Sequence, residues 1–317
     1  MNHKAGYVAL VGEPNAGKST LLNTLLGQKL SIVTPKPQTT RHKITGILTG
    51  ENFQIIFLDT PGLIKPKYAL QELMMTSADE AIKDADIVAF LIDARSRDVT
   101  VPFEHGIRNA ELKTMNKGQE TSNVEQRTKK PEHGTDKPLF LVLNKIDLMK
   151  RNDVLSLIQS ASEIRSFKEI IPVSALTGEN LDDLKKTIIK YLPEGDPLYP
   201  EDYLSDRDER FFVSELVREE IFKVFKEEVP YSTTVEIEEF RESNEKKTYI
   251  RAIIYVEKDS QKGIIIGKNG AALKRIGQSS RKQIEEMIEN EVFLELFVKV
   301  RDGWRNNKKA LLQLGYR

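Results

Sequence analysis

An α/β domain built on a mostly parallel sheet with helices on both faces, followed by a smaller α+β unit, is what the amino-acid sequence predicts. Three observations lead there. Short apolar runs alternate with helical patterns up to about residue 190. A Pro-punctuated stretch then interrupts the chain. Beyond it the order is helix, strand, strand, helix, helix, strand. At 317 residues, and roughly 150 residues per domain, two domains are expected, each able to bury a core.

In the first part, 7–11, 54–58, 87–92, 139–143 and 170–173 are continuous in Val, Ile, Leu and Phe. Strands buried on both faces need such runs. Amphipathic stretches at 19–26, 70–82, 153–164 and 180–191 lie between them. Segment 111–137 breaks the alternation; it is polar, with Asn116-Lys117-Gly118 and Lys129-Lys130-Pro131, and reads as a surface insertion. Pro193, Gly195, Pro197 and Pro200 mark a linker over 193–205, which sets the domains at 1–192 and 206–317. In the second domain Val213, Val217, Ile221, Val224 and Phe225 repeat at helical spacing. Two alternating strands follow at 233–240 and 248–257, the second with Ile250, Ala252, Ile254 and Val256 on one face. After a short and a long helix, a last strand puts Val292, Leu294, Leu296, Val298 and Val300 on one face. A terminal helix comes after Trp304.

Composition narrows the function classes. With 39% hydrophobic and 30% charged residues, a globular protein is expected rather than a disordered one. The absence of Cys removes disulfides, thiolate nucleophiles and thiolate-bound zinc, and fits a reducing cytoplasm. The four His, at positions 3, 42, 105 and 133, have no metal-ligand spacing. No apolar run reaches the length of a membrane span, and the N-terminus lacks a secretory apolar region. Net charge is zero, yet 201–260 holds 10 Lys+Arg against 17 Asp+Glu, whereas 261–317 holds 12 against 6. A basic C-terminal segment hints at nucleic acid.

Gly12-Glu13-Pro14-Asn15-Ala16-Gly17-Lys18-Ser19, with Thr20 next, matches G-x-x-x-x-G-K-[ST] and lies between a strand and a helix. Gly12 and Gly17 let the backbone wrap so that consecutive N–H groups face phosphate oxygens, and the helix start adds its positive dipole end. Lys18 would bridge the β- and γ-phosphates, and Ser19 would bind Mg²⁺. Asp59-Thr60-Pro61-Gly62 ends the strand at 54–58. Its carboxylate suits Mg²⁺, direct or through water, and the Gly62 N–H suits a γ-phosphate. Between these motifs lies the polar loop 34–41. A Thr hydroxyl there would complete the Mg²⁺ shell, and the residues alone do not choose between Thr39 and Thr40.

Asn144-Lys145-Ile146-Asp147 follows the strand at 139–143. Guanine presents two adjacent donors, N1–H and N2–H₂, and Asp147 can accept both; adenine would leave that carboxylate unpaired. Asn144 can bridge loops or reach the base edge, and the Lys145 stem can cover the ring. Ser174-Ala175-Leu176, after the next strand, can offer a backbone N–H to guanine O6.

With these motifs in this order, residues 7–192 resemble a translation-factor-class GTPase domain, in particular the Era, Der and MnmE group. The resemblance implies a GTPase that uses Mg²⁺. It selects Thr40 over Thr39 and makes Lys18, Thr40, Gly62 and Asn15 the catalytic candidates, Asn15 helping to seat an activating K⁺. Leu63 stands where Ras-like proteins carry their water-orienting Gln, so slow intrinsic turnover is expected.

Ile266-Gly267-Lys268-Asn269-Gly270 resembles the KH signature, in the element order of a type II KH fold. Gly267 and Gly270 would admit the sugar–phosphate chain of single-stranded RNA, with Lys268, Lys274, Arg275 and neighbouring Lys262, Arg281 and Lys282 supplying charge. Arg301, Trp304, Arg305, Lys308 and Lys309 can extend that surface; alternatively Trp304, Leu311, Leu312 and Leu314 pack a terminal helix onto the domain, and both readings can hold. A GTPase domain followed by a type II KH domain is the combination of the Era family. That resemblance implies a cytoplasmic GTPase that binds the 3′ end of 16S rRNA and assists maturation of the 30S subunit; a monomer is the default expectation. It also implies a peripheral membrane association, whose rival form is a membrane-linked signalling GTPase with a structural KH-like domain.

Overall fold

The computed structural model describes residues 3–96, 137–164, 167–242 and 247–316. The insertion read at 111–137 lies outside these residues, Lys137 excepted. The first unit contains β1 (Lys4–Gly12), α1 (Lys18–Leu26), β2 (Ile44–Gly50), β3 (Phe53–Asp59), α2 (Ala69–Asp84) and β4 (Ile87–Asp93). It continues with β5 (Leu139–Asn144), α3 (Arg151–Ile164), β6 (Glu169–Val173) and α4 (Leu181–Tyr191). The sheet order is β2-β3-β1-β4-β5-β6, parallel except for β2 against β3. Alternate residues of β1 feed two cores: Val8 and Leu10 pack with Leu21, Leu184 and Ile188, while Ala9 and Val11 join a cluster with Ala81, Val154 and Leu157. A strand with a core on each side needs apolar residues at every position, and each Leu- or Val-sized side chain so buried contributes about 1.5–3 kcal/mol.

Sequence periodicity misses β2, whose Thr and Gly residues blur the pattern. It is an edge strand, and the linker covers part of it. Ile47 N–H donates to Leu204 O at 2.9 Å, and the Ser205 hydroxyl donates to Thr45 O at 2.6 Å. The buried Gln54 side chain accepts from the Leu198 and Tyr199 amides and donates to Tyr199 O. The Pro-punctuated stretch is thus fastened to the sheet edge, which removes unpaired edge groups.

The second unit is α5 (Glu209–Val224), β7 (Thr234–Arg241), β8 (Thr248–Val256), α6 (Asp259–Ile266), α7 (Ala271–Ile288), β9 (Val292–Val300) and α8 (Lys308–Gln313). Its sheet runs β7-β8-β9, with β7 antiparallel and β9 parallel to β8. Ile250, Ile254 and Val256 meet Val213, Val217 and Ile221 of α5 and Ile276 and Ile284 of α7. On β9 the expected face holds through Val298, but Val300 at the strand end is exposed.

Helix α5 begins at Asp208, whose carboxylate accepts from the Phe211 N–H at 2.9 Å. From Glu215 to Phe222 it is buried around its whole circumference, which a helix between two bodies requires. Val213, Val217 and Ile221 face the small sheet. Glu215, Arg218, Glu219 and Phe222, the opposite stripe, are also buried and meet the first unit. Trp304 is fully buried, packs with Leu70 and Met74 of α2, and donates its indole N–H to Ser232 O. Arg305 pairs with Glu257 and lies over the Tyr68 ring. Trp304 and Leu311 are buried and Leu314 is half-buried in this packing, as expected, but Leu312 is exposed because it lies on the outer face of the short terminal helix.

Candidate functional site

The ends of β1, β3, β4, β5 and β6 open on one edge of the larger sheet, where ligands of open α/β folds bind. A cleft of about 390 Å³ lies there, lined among others by Lys18, Ser19, Thr20, Thr40, Gly62 and Lys145. The loop Gly12–Gly17 carries the chain from β1 into α1, with Asn15 and Gly17 at positive φ. Lys18 is buried, and its ammonium donates to Gly12 O at 3.0 Å and Glu13 O at 2.9 Å. Burial lowers its pKa to about 8, against the opposing pull of Asp59 and Glu13. Asn15 is exposed and donates its side-chain amide to Pro35 O at 3.1 Å, tying this loop to the 34–41 segment.

Three oxygen groups converge beside Lys18. The Ser19 hydroxyl donates to Asp59 Oδ2 at 2.7 Å and lies 2.9 Å from Thr40 Oγ1. Ser31, a residue the sequence did not single out, also donates to Asp59 Oδ2, at 2.9 Å. Asp59 Oδ1 is buried with no hydrogen-bond partner among the described residues. Burial raises the Asp59 pKa, although Ser19, Lys18 and Ser31 oppose it. Thr39 is turned away: its hydroxyl bonds Thr34 and Lys36 O. The Thr60 hydroxyl also points inward, donating to Leu10 O at 2.7 Å, so it anchors β1 instead of facing the cleft. Pro61 continues to Gly62, which stands so close to the first loop that a Cβ there would meet Pro14 Cα and N at 2.7 Å. Leu63 N–H donates to Gly12 O, fastening the two loops.

At the base end, Asn144 is a bridge between loops. Its Nδ2 donates to Ala16 O at 2.7 Å, and its Oδ1 accepts from the Lys145 and Ala175 amides. Of the three backbone amides of Ser174-Ala175-Leu176 from which a donor to guanine O6 is expected, that of Ala175 is engaged by Asn144. Lys145 reaches Asn15 O and Asp93 Oδ2. Burial would raise the Asp93 pKa, but Arg95 and Lys145 outweigh it and hold it below the usual carboxylate range. Neither Asp93 nor Arg95 belongs to a recognised motif, so neither carries a signal at the level of sequence. Ser174 donates to Asp147 Oδ1 at 2.6 Å, fixing the carboxylate expected to read a guanine base, and Leu176 stands exposed at the rim.

The second site lies between α6 and α7. Gly267 has φ 72 and ψ 176, a region open to glycine, and a Cβ would meet Ala272 Cβ at 2.7 Å. Lys268, Asn269 and Gly270 form one 3₁₀ turn. Ile266 is half-buried beneath it, whereas Lys268, Asn269, Lys274 and Arg275 are exposed. The turn presents backbone and positive charge to one side of the molecule.

Comparison with known proteins identifies the family. Residues 7–145 match the family model described as 50S ribosome-binding GTPase, and residues 228–305 match the KH domain. GTPase Era of Clostridium botulinum is 45% identical over 315 residues, 99% of this chain and 98% of that protein. GTPase Era of Ruminiclostridium cellulolyticum is 41% identical, covering 100% of this chain and 99% of that protein. A crystal structure of an Aquifex aeolicus Era variant bound to GDP·AlF₄⁻ superposes with TM-score 0.88 at 40% identity, covering 99% of each chain. Era in complex with MgGDPNP and nucleotides 1506–1542 of 16S ribosomal RNA gives TM-score 0.89 at 40% identity, again over 99% of each. A P-loop GTPase domain joined to a KH domain, matched end to end at this identity, makes the chain a member of the Era family of GTPases.

Proposed function

We propose that this GTPase is a GTP-driven RNA-binding switch that takes the 3′ end of 16S rRNA on its KH domain and assists assembly of the 30S subunit. One observation carries the reading: the nucleotide cleft and the Gly-x-x-Gly turn are joined through α5. Residues of 34–41 bond α5, and Glu220 of α5 accepts from Gln283 of α7, the helix that starts at the turn. The relative with RNA bound holds both a magnesium nucleotide and the rRNA fragment.

The donors at Ser19, Thr40 and Asp59 fit Mg²⁺, which takes hard oxygen ligands, and a buried carboxylate with one unpartnered oxygen calls for a cation. Bound there, Mg²⁺ would neutralise charge on the phosphates. In this reading Lys18 holds the β- and γ-phosphates, and the backbone from Gly12 to Thr20 and at Gly62 lines them. Thr40 senses the γ-phosphate through the metal, and Asp147 selects guanine. Asn15 takes part in an activating K⁺ site; exchange of K⁺ for Na⁺ with Asn15→Ala tests that role, which is refuted if neither changes turnover. The functional division is 1–192 for nucleotide, 193–205 as linker and 206–317 for RNA. The working state is a cytoplasmic monomer, with any membrane contact peripheral. Among the described residues no helix is long and apolar enough to cross a membrane.

The test is binding of a single-stranded RNA copying the small-subunit rRNA 3′ end, with GTP analogue, GDP or no nucleotide. Tight binding with the GTP analogue alone, abolished by Gly267→Asp with Gly270→Asp, supports the coupled switch. Equal binding in all three states leaves RNA binding but removes the coupling. No binding in any state overturns the RNA reading.

A further inference from the structure

We infer that Arg218, held by Glu215 on α5, is a positioning residue for GTP hydrolysis: from the KH side it fixes the peptide that presents Thr40 to the magnesium site. This rests on the switch reading above and names the residues that carry it.

The geometry is a grip on both flanks of Thr40. Arg218 Nη2 donates to Thr39 O at 2.6 Å. The Arg41 guanidinium, two residues on, donates to Thr233 O at 2.8 Å, Pro230 O at 3.0 Å and Tyr231 O at 3.1 Å. Both guanidinium groups lie over the Phe222 ring, at 5.4 Å for Arg218 and 5.8 Å for Arg41. Residues 39 and 41 are thus held by the second unit, while the Thr40 hydroxyl between them faces Ser19 at 2.9 Å. Further along the loop, Lys36 Nζ donates to Phe222 O and Phe225 O at the C-terminal end of α5, where a cation is favoured.

Arg218 is 1% exposed and Glu215 4%. The pair is bidentate, Nε to Oε1 at 2.7 Å and Nη2 to Oε2 at 2.5 Å. A buried ion pair gives little net stability over an apolar pair of similar volume. Its use lies in direction: Glu215 orients the fork, and Arg218 spends an N–H on one carbonyl of the loop that must move. Ser19 and Asp59 belong to the first unit alone, so they supply no such dependence on the KH domain. Coupling is reciprocal, so RNA that biases α5 through α7 would bias Thr40 as well.

The test uses the full chain and two variants. Glu215→Gln with Arg218→Met removes both buried charges at similar volume. Arg218→Lys keeps a charge beside Glu215 and serves if the first variant does not fold. The readouts are the ratio of GTP-analogue to GDP affinity in Mg²⁺, the turnover rate, and the unfolding midpoint with GDP bound. Loss of a charge-assisted hydrogen bond predicts about a tenfold fall in the ratio and in turnover for the double variant. GDP affinity should stay within about twofold, and Arg218→Lys should show a smaller fall in the same direction. Unchanged ratio and turnover in either folded variant overturn the inference. Equal falls in GTP-analogue and GDP affinity also overturn it, because they mark a merely structural role. The wild type is measured beside them for nucleotide-dependent RNA binding. If that is absent, the switch reading fails on its own, whatever the variants do to hydrolysis.

Discussion

Thr40 Oγ1 and Ser19 Oγ, 21 residues apart in the chain, lie 2.9 Å from each other. Ser19 sits in the first turn of α1, on the rigid sheet, whereas Thr40 sits on a loop gripped from the second unit. In the switch proposed above, their meeting point reports both nucleotide and domain docking. Thr40→Ala should lower affinity for a GTP analogue in Mg²⁺ by about tenfold, a charge-assisted contact, and leave GDP within about twofold. Ser19→Ala should weaken both nucleotides in Mg²⁺ and neither in excess chelator. Titration calorimetry of the two nucleotides decides; equal losses for Thr40→Ala would remove its sensing role.

Lys18 makes nucleotide binding a proton-linked event. Burial holds its pKa at about 8. Phosphates placed beside the ammonium favour its charged form and raise that pKa. Near pH 8, binding should therefore take up about half a proton per nucleotide, and affinity should fall as pH rises above 8. Calorimetry in two buffers of different ionisation enthalpy measures the uptake. Lys18→Met should abolish it.

His42 sets the acid limit of the domain junction. Its ring is stacked on Tyr316 at 4.5 Å and meets Phe211 edge-on at 5.5 Å. Burial lowers its pKa from 6.5 to about 4; Glu215 opposes this, while Arg218, Arg207 and Arg41 add to it. The folded state keeps the ring neutral, so the unfolded chain binds more protons between these values. Stability is full above pH 6.5 and is lost as pH falls towards 4. Between pH 7 and pH 5 the loss from this group should be about 2 kcal/mol. Chemical unfolding followed by the single Trp at several pH values checks it. His42→Gln should flatten the profile in that window; an unchanged slope would refute the assignment.

Asp147 is fixed by Ser174 at 2.6 Å, which leaves it little freedom to adapt to another base. Asp147→Asn replaces an acceptor by a donor opposite guanine N1–H. GTP affinity should fall by about a thousandfold or more, as for sites built to hydrogen-bond a group that the altered partner no longer meets. Xanthine, which carries a carbonyl at that edge, should then bind better than guanine. Competition between the two nucleotides reads the switch.

The catalytic half of this protein was open to sequence reading because its chemistry sits at strand ends. A parallel strand buried on both faces must be apolar throughout, so Gly12, Asp59 and Asn144 stand out where each run stops. Asp93 also ends a strand, but its neighbours form no motif, and its bonds to Lys145 and Arg95 exist only in the folded chain. Ser31 was hidden for the same reason. Strand β2 was missed because an edge strand with Thr and Gly lacks both periodic signals. The larger omission was the second face of α5. Glu215, Arg218 and Glu219 recur at helical spacing, and charge at that spacing reads as a solvated face. Here another domain covers it, and periodicity carries no information about what lies opposite. Trp304 posed the converse problem, since an aromatic among basic residues suits a stacking surface as well as a core.

Trp304 closes the junction from the other side and is fully buried there. Its indole packs with Leu70, Met74, Leu311 and Tyr316, joining the terminal helix α8 to α2. Helix α2 follows the Asp59–Gly62 loop, so this contact couples the second nucleotide-facing segment to the same domain that grips Thr40. Trp304→Ala should cost about 3–5 kcal/mol, the range for a fully buried aromatic removed without collapse of the gap. Trp304→Phe retains much of the apolar area and loses the 3.1 Å bond to Ser232 O, so about 1–2 kcal/mol is expected. Hydrogen exchange separates this from a local effect on α8. If the contact joins the domains, amides at the start of α2 should exchange faster in Trp304→Ala while those of β1 stay protected. Faster exchange confined to α8 would mean that the indole anchors its own helix and carries no force between the domains.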